Sequence, residues 1–300
     1  MNFAAGAAAV VVAIAAARAG GFAAERLRQP AVLGELAAGL VLGNLVLIGP
    51  RTFEFLKTDE VLGFASGVAV IVLLFHASVG STIGDMKKLG AAALLTAACG
   101  VAGSFAAAWL AVRWLLPSSA SFATTFVAAS VTATSVGVTA RVLRDLGQAR
   151  SRTAHFILAA AVIDDLIGLL VLAVMTATGA VGLVLLKAAV FLVGGLGAGM
   201  FVSPRLLSLA SRSMSAVLLA AALAFCFAMA WLASLFGLAP IVGAFAAGLI
   251  VEEWHYKDFI DRREKTLDDL LAPLARWLVP IFFVAIGIRT DLSGLRSPSV

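Results

Sequence analysis

Long apolar runs separated by short polar breaks make up nearly the whole chain. An α-helix needs about 20 apolar residues to cross the hydrocarbon core of a bilayer. By this criterion the pattern predicts ten membrane spans, at residues 3–24, 31–49, 60–80, 90–116, 120–143, 153–176, 180–202, 214–236, 239–252 and 270–289. The ninth run is the shortest, and Pro240 near its start has the fixed φ that suits the first turn of a helix.

The composition agrees with this pattern. Of the 300 residues, 62% are hydrophobic and 13% are charged, which is about half the charged fraction of a typical soluble domain. The chain is therefore predicted to be an all-α polytopic membrane protein, with one transmembrane domain over residues 1–300. The net charge is +5, but the basic residues cluster in the short breaks. There they act as topology signals, so we expect no nucleic-acid partner.

The Lys and Arg residues are divided unequally between the two sides that the ten spans define. Sixteen of the 22 fall on one side and five on the other, while Lys187 lies inside the seventh run. Loops rich in Lys and Arg stay in the cytoplasm. We therefore expect the N-terminus to lie outside.

The sequence also repeats itself weakly. Residues 34–41 are similar to residues 243–250, and residues 74–80 are similar to residues 281–287. The matched spans are an odd number apart, so the two copies are predicted to be inverted in the membrane, as in many secondary transporters. This predicts a first repeat at 31–176, connecting spans at 180–236 and an incomplete second repeat at 239–300. The remaining spans of the second repeat are expected beyond Val300.

Asp164 and Asp165 are adjacent in the middle of the sixth run. An ionised carboxylate at that depth costs about 2.5–3.5 kcal/mol on insertion scales, and such residues mark ion or proton pathways. A carboxylate that holds either a proton or a cation, but not both, can exchange the two when it is exposed alternately to each side. Adjacent helical residues point about 100° apart, so we expect only one to face the ion path directly.

The fifth run contains SVTATSVGVTAR at residues 130–141. Its β-branched and hydroxyl residues and Gly137 have low helix propensity, and Ser and Thr side chains can satisfy backbone groups freed at membrane depth. An unwound segment here would offer carbonyl and hydroxyl oxygens to a cation. On composition alone, a helix–helix contact through small residues is an equal alternative; the neighbouring carboxylates favour the ion site.

Four segments, in the same order, resemble the monovalent cation:proton antiporter-2 family: QPAVLGE at 29–35, TATSVG at 132–137, IDD at 163–165 and VPIFFVAIG at 279–287. The resemblance covers nearly the whole chain. It implies an inverted-repeat sodium/proton antiporter fold of thirteen spans, about ten of which are present. A panel domain would form dimers, and a mobile core domain would contain two crossed, broken helices.

The same resemblance implies roles for individual residues. Asp165 matches the carboxylate that carries the cation or proton. Asp164 matches a companion position that is acidic in electrogenic members and often Asn in electroneutral ones. Thr132, Thr134 and Ser135 match the broken helix beside the site. The expected function is exchange of Na⁺ or K⁺ for protons by a homodimer in a bacterial inner membrane, with no cofactor and no enzymatic activity.

Two other polar side chains leave alternatives open. Glu35 lies near the start of the second run, where an interfacial position and a structural or ion-path role fit equally well. His76 lies within the third run. Its ordinary titration range suits a pH sensor, although a hydrogen-bonded core histidine is the commoner case.

The same residues fit a protease or a channel less well than an antiporter. An intramembrane aspartyl protease needs carboxylates that face one another and share a proton, whereas Asp164 and Asp165 are consecutive on one helix. A potassium channel would carry a filter string such as TVGYG, which the sequence lacks. A potassium efflux pathway of the same family is one alternative to the antiporter. A non-transporting membrane protein of the same fold is another, because the last three expected spans are missing.

Overall fold

The computed structural model describes residues 3–47, 53–79, 83–117, 120–132, 136–148, 151–175, 181–211, 214–251 and 266–293. Within these ranges the regular elements are helices: α1 (Phe3–Arg26), α2 (Ala31–Asn44), α3 (Glu60–Ser78), α4 (Ile83–Leu115), α5 (Ser121–Thr132), α6 (Val136–Asp145), α7 (Arg152–Met175), α8 (Val181–Val190), α9 (Leu196–Ser211), α10 (Ser215–Leu235), α11 (Pro240–Ile250) and α12 (Leu267–Arg289). Two 3-10 turns, Leu45–Leu47 and Glu54–Lys57, lie between α2 and α3, and a π-helical turn, Phe191–Gly195, joins α8 to α9.

Seven helical stretches in the described part of the chain are long and apolar enough to cross a membrane. They are α1, α3, most of α4, α5 together with α6, α9, α10 and α12, while α2 and α11 are shorter apolar helices. The prediction of an all-α polytopic membrane protein is confirmed. Two helices exceed their predicted spans, since α4 begins at Ile83 and α9 ends at Ser211. A helix can continue past its apolar run into the interface, where polar side chains reach water, so run length underestimates helix length.

Local sequence signals determine several helix ends. Asp59 caps α3 by accepting a first-turn backbone N–H at 2.7 Å, and Thr266 forms a capping box with Asp269 at the start of α12. Gly147 and Gly237 follow α6 and α10 with φ of 69° and 76°, a left-handed conformation that glycine adopts without strain. These contacts satisfy terminal backbone groups that lipid cannot hydrogen-bond.

The helices pack in two groups. In the first, which we call the helix row, α1, α2, α12, α3, α11 and α10 each pack against the next. In the second, α4, α5 and α7 pack on one another. The short helix α6 connects the groups, because it contacts α2 and α3 of the row as well as α7. Phe75 and Phe283, which are fully buried, lie in the main apolar core within the row.

Several glycines allow close contacts within the row, and two of them lie at matched positions of the sequence repeat. A Cβ on Gly39 of α2 would overlap the backbone carbonyl of Val284 in α12. A Cβ on Gly248 of α11 would overlap the Ser78 hydroxyl and lie 2.6 Å from the carbonyl oxygen of Phe75 in α3. Small residues at such crossings let the backbones of membrane helices approach closely. The two contacts are similar, since Gly39 and Gly248 occupy matched positions of one repeated segment and Val284 and Phe75 both lie in the other, at 281–287 and 74–80.

Asn44 links the end of α2 to the end of α12. Its Nδ2 donates to the carbonyl oxygens of Leu40 and Thr290, and its Oδ1 accepts from the backbone N–H of Leu292, each at 2.9 Å. The side chain is buried, and a buried amide is stable only when its donors and acceptor are bonded. This polar residue therefore has a structural role.

Replacing either row glycine with alanine is expected to destabilise the protein. Gly39→Ala and Gly248→Ala force the backbones of two helix pairs apart, and overpacking of this kind costs about 1–3 kcal/mol. Gly67→Ala is the matched control, because Gly67 lies on α3 with no atom within 4 Å of its Cβ position, and alanine has the better helix propensity. Thermal unfolding in detergent measures the effect. A Gly39→Ala protein as stable as Gly67→Ala would contradict this account of the contact.

Candidate functional site

Asp164 lines a cavity formed by α4, α6 and α7. The residue is only 8% exposed, and the cavity has a volume of about 220 Å³. Most of the lining is apolar, and the polar residues in it are Asp164, Thr96, Ser104 and Thr139. Carboxylate and hydroxyl oxygens are the ligands that hard cations prefer. The arrangement can therefore hold a small cation or a proton beside a buried carboxylate.

The other residues predicted for this site are placed differently. Asp165 follows Asp164 in α7, but its side chain lies outside the described part of the structure, as do Thr134 and Ser135. Thr132 is the buried last residue of α5, and its Oγ1 donates to the carbonyl oxygen of Ala129 at 2.7 Å. It does not line the Asp164 cavity. Because residues 133–135 separate α5 from α6 and are not described, the unwound segment stays a prediction.

Glu35 forms a buried ion pair with Arg141. Its Oε1 accepts from Arg141 Nη2 at 3.1 Å, and the glutamate side chain is 4% exposed. Arg141 Nε also donates to Oδ1 of Asp145, one turn further along α6, at 2.9 Å. Glu35 and Arg141 line a cavity of about 460 Å³ between α1, α2, α6 and α12. Glu35 is therefore buried within the protein and has an ionic partner there, and the two roles that the sequence allows for it stay predictions.

His76 pairs with a carboxylate at the start of α12. Its Nε2 lies 2.8 Å from Oδ1 of Asp268, and the histidine side chain is 5% exposed. Both residues line a third cavity, of about 310 Å³, to which α6 contributes Arg144. The Asp268 carboxylate and the Arg144 guanidinium attract each other. This second polar contact therefore also joins the helix row to α6.

The helix α6 contributes a lining residue to each of the three cavities. Thr139 lines the Asp164 cavity, Arg141 the Glu35 cavity and Arg144 the His76 cavity. Successive helical residues turn by about 100°. Thr139 therefore projects to the side opposite Arg141, while Arg141 and Arg144 share a side. One short helix thus connects the candidate ion site with two polar contacts to the row.

Comparison with known proteins identifies the family. The model of the sodium/hydrogen exchanger transmembrane family matches residues 9–300. The chain belongs to this family. The resemblance to cation:proton antiporters is thereby confirmed, and exchangers are transporters rather than enzymes.

Curated members of the exchanger family cover most of the chain. It is 31% identical to the high-affinity Na(+)/H(+) antiporter NhaS3 of Synechocystis sp., over 96% of this chain and 68% of that protein. It is 30% identical to the probable Na(+)/H(+) antiporter GerT of Bacillus cereus, over 96% of this chain and 75% of that protein. The Na(+)/H(+)-K(+) antiporter GerN of Bacillus cereus is 31% identical, over 90% of this chain and 68% of its own length.

Several residues of the candidate site and of the contacts around it are not singled out by the sequence. Arg141 belongs to the basic residues that indicate membrane orientation, Thr139 is one hydroxyl of the 130–141 segment, and nothing in the sequence points to Thr96 and Ser104. The spacing of Arg141 and Asp145 on one helix suits an ion pair and was an available signal. Nothing local to Glu35 indicates a partner that lies 106 residues away.

A double-mutant cycle is expected to detect the His76–Asp268 contact. His76→Ala and Asp268→Asn each remove one partner, so their effects on unfolding free energy are predicted to be non-additive by about 0.5–3 kcal/mol. Thermal or denaturant unfolding in detergent measures the four proteins.

Asp269 supplies the control for that cycle. It is the next residue of α12, but its carboxylate bonds the backbone and hydroxyl of Thr266. His76→Ala and Asp269→Asn are therefore expected to be additive. Additivity of His76→Ala with Asp268→Asn as well would show that the ion pair contributes nothing specific.

Proposed function

We propose that this protein exchanges a monovalent cation, Na⁺ or K⁺, for protons across a membrane, with Asp164 and Asp165 holding the transported ions. The observation that carries the proposal is the buried Asp164 carboxyl group in the apolar helix α7, beside a cavity that three hydroxyl-bearing residues also line. The antiporter names of the relatives support the same exchange.

The chemistry of the site suits this exchange. A carboxylate deep in an apolar helix needs either a proton or a positive partner. A dehydrated alkali cation would replace its water with the carboxylate and the hydroxyls of Thr96, Ser104 and Thr139. Because one carboxylate cannot hold a cation and a proton together, uptake of one requires release of the other. Asp165 is the ion carrier in this proposal, and Asp164 sets the charge of the site.

Alternating access is proposed to come from two inverted repeats, 31–176 and 239–300. The support is the correspondence between the Gly39–Val284 and Gly248–Phe75 contacts, which exchange α2 with α11 and α12 with α3. Inverted repeats place substrate sites near the midplane and allow one part of the fold to rock against the other. In this chain the helix row would be the static part, and the group of α4, α5 and α7 would move.

The proposal extends to location and assembly. The excess of basic residues on one side supports an N-terminus outside the cytoplasm, in a bacterial inner membrane. A homodimer is proposed from the family resemblance. Potassium efflux is a second candidate, because one relative is named a Na(+)/H(+)-K(+) antiporter.

The test is ion exchange by the full chain in liposomes that contain a pH-sensitive dye. Imposed Na⁺ or K⁺ gradients are expected to drive proton movement, and comparison of the two cations decides between sodium exchange and potassium exchange. Cation movement without proton movement would indicate a channel-like pathway. If neither gradient moves protons or cations, the antiporter proposal fails.

Asp165→Asn is expected to abolish exchange, at least about a hundredfold, because the amide can carry neither the proton nor the charge that binds the cation. The liposome assay measures this, with Glu54→Gln as the control for an exposed carboxylate outside the cavities. Exchange at the wild-type rate by Asp165→Asn would refute the assignment of Asp165, even if the family function stands.

Asp164→Asn is expected to keep exchange but to change its electrical character. Removing one charge from the site alters the charge moved per cycle, so exchange should respond less to an imposed membrane potential. A valinomycin-clamped potential in the same liposomes tests this. An unchanged response to potential would contradict the role of Asp164 as the companion carboxylate.

A further inference from the structure

We propose that Glu35 is a second proton-binding group, separate from Asp164 and Asp165, and that its protonation releases α6 from the helix row. The proposal concerns the ion pair between Glu35 and Arg141 and the cavity that adjoins it. It goes beyond the proposed exchange reaction, because it names a group that controls a helix rather than one that carries the transported ion.

The ion pair joins two parts of the fold. Glu35 belongs to α2, in the middle of contacts with α1 and α12, whereas Arg141 belongs to α6, which also packs on α7. The row is held by close backbone approach at Gly39 and Gly248. The contacts of α6 with the row combine apolar packing of Val136 and Ala140 with the ion pair of Arg141. The ion pair is the contact that a change in charge at Glu35 alters, while the close backbone approaches of the row do not depend on charge.

Oε2 of the Glu35 carboxylate is the atom that takes up the proton in this proposal. The residue is 3% exposed, and within the described residues its Oε2 has no hydrogen-bond partner while Oε1 accepts from Arg141. A buried acceptor without a donor is costly. A proton on Oε2 converts the carboxylate into a neutral acid and removes the attraction for Arg141. The adjoining cavity of about 460 Å³ supplies a route for the proton.

Charged groups on the neighbouring helices determine the electrostatic potential at Glu35. From α6 these are Arg141 and Asp145, and from α1 they are Arg18 and Glu25. Arg276 of α12 lines the same cavity, and its carbonyl oxygen accepts from Arg18 Nη2 at 3.4 Å. The guanidinium groups of Arg141 and Arg18 therefore act on Glu35 from α6 and α1. This basic lining disfavours a metal cation as the ligand of Glu35 and leaves the proton.

Arg141 keeps a partner when Glu35 is protonated. Its Nε already donates to Asp145, on the same helix, at 2.9 Å. An arginine left without any counterion in a buried place would be strongly unfavourable. Because Asp145 belongs to α6, the helix can separate from α2 without exposing an unpaired charge to the apolar interior.

Displacement of α6 would change the lining of the candidate ion site directly. Thr139 lines the Asp164 cavity from the side of α6 opposite Arg141. Displacing α6 therefore changes the hydroxyl lining of that cavity. Protonation at Glu35 and occupancy at Asp164 would in this way bias the same helix, which is the physical requirement for coupling between two sites.

Hydrogen–deuterium exchange of the full chain in detergent tests the release of α6. With correction for the intrinsic pH dependence of amide exchange, peptides covering 136–145 are expected to exchange about tenfold faster as the pH falls from about 8 to about 5. In Glu35→Gln the exchange of these peptides is expected to be fast at every pH, because the amide cannot form the ion pair.

Glu54→Gln is the matched control, since Glu54 is an exposed carboxylate that lines none of the three cavities. It is expected to reproduce the wild-type pH dependence. Wild-type exchange at 136–145 that does not rise with acid overturns the proposal, and this outcome needs no variant to fold. Slow, wild-type-like exchange in Glu35→Gln overturns it equally.

Ion exchange in liposomes separates this inference from the proposed function. The inference rests on the proposed function only for its effect on transport. Glu35→Gln is expected to transport with a flatter pH profile than the wild-type protein, and an unchanged profile would contradict the coupling. If the wild-type protein exchanges no ions, the proposed function fails, whereas the deuterium exchange result still decides whether Glu35 holds α6.

Discussion

The fold depends on the close approach of helix backbones at Gly39 and Gly248. In lipid, apolar side chains gain little by leaving their surroundings for one another, so membrane helices are held by packing and by polar contacts. At these two positions a single added methyl group would overlap a neighbouring backbone or side chain. The central four helices of the row, α2, α12, α3 and α11, are thereby fixed at distances that allow little adjustment. Asn44 joins the end of α2 to the end of α12 through buried hydrogen bonds.

The attachment of α6 follows a different principle. Part of its packing on the row is apolar, since Val136 and Ala140 belong to the main apolar core. The other part is the hydrogen-bonded ion pair of Arg141 with Glu35, which can be broken and remade when charge changes, whereas interlocked backbones cannot. Three cavities adjoin α6, so its position affects the candidate ion site and both polar contacts at once.

The sequence predicted what depends on local pattern. Run length was sufficient to predict the helical membrane fold, and the cost of burying charge was sufficient to select Asp164. The partners of Glu35 and His76 could not be predicted, because they come from helices far away in the chain and no local spacing indicates them. In the sequence Thr96 and Ser104 resemble ordinary small residues of a packing face. Their connection with Asp164 is visible only in the folded structure, where α7 lies beside α4. The repeat division and the broken helix stay predictions, the latter because residues 133–135 are not described.

The pairing of Arg141 with Asp145 has an electrical consequence. A charge that moves across a membrane potential gains or loses about 2.3 kcal/mol per 100 mV. A helix that carried a lone arginine would therefore be pushed by the potential whenever it shifted. Because Asp145 lies on the same helix at 2.9 Å from Arg141, this pair moves as a neutral unit. The potential can then act on the ions that we propose bind at Asp164 and Asp165, without a contribution from Arg141.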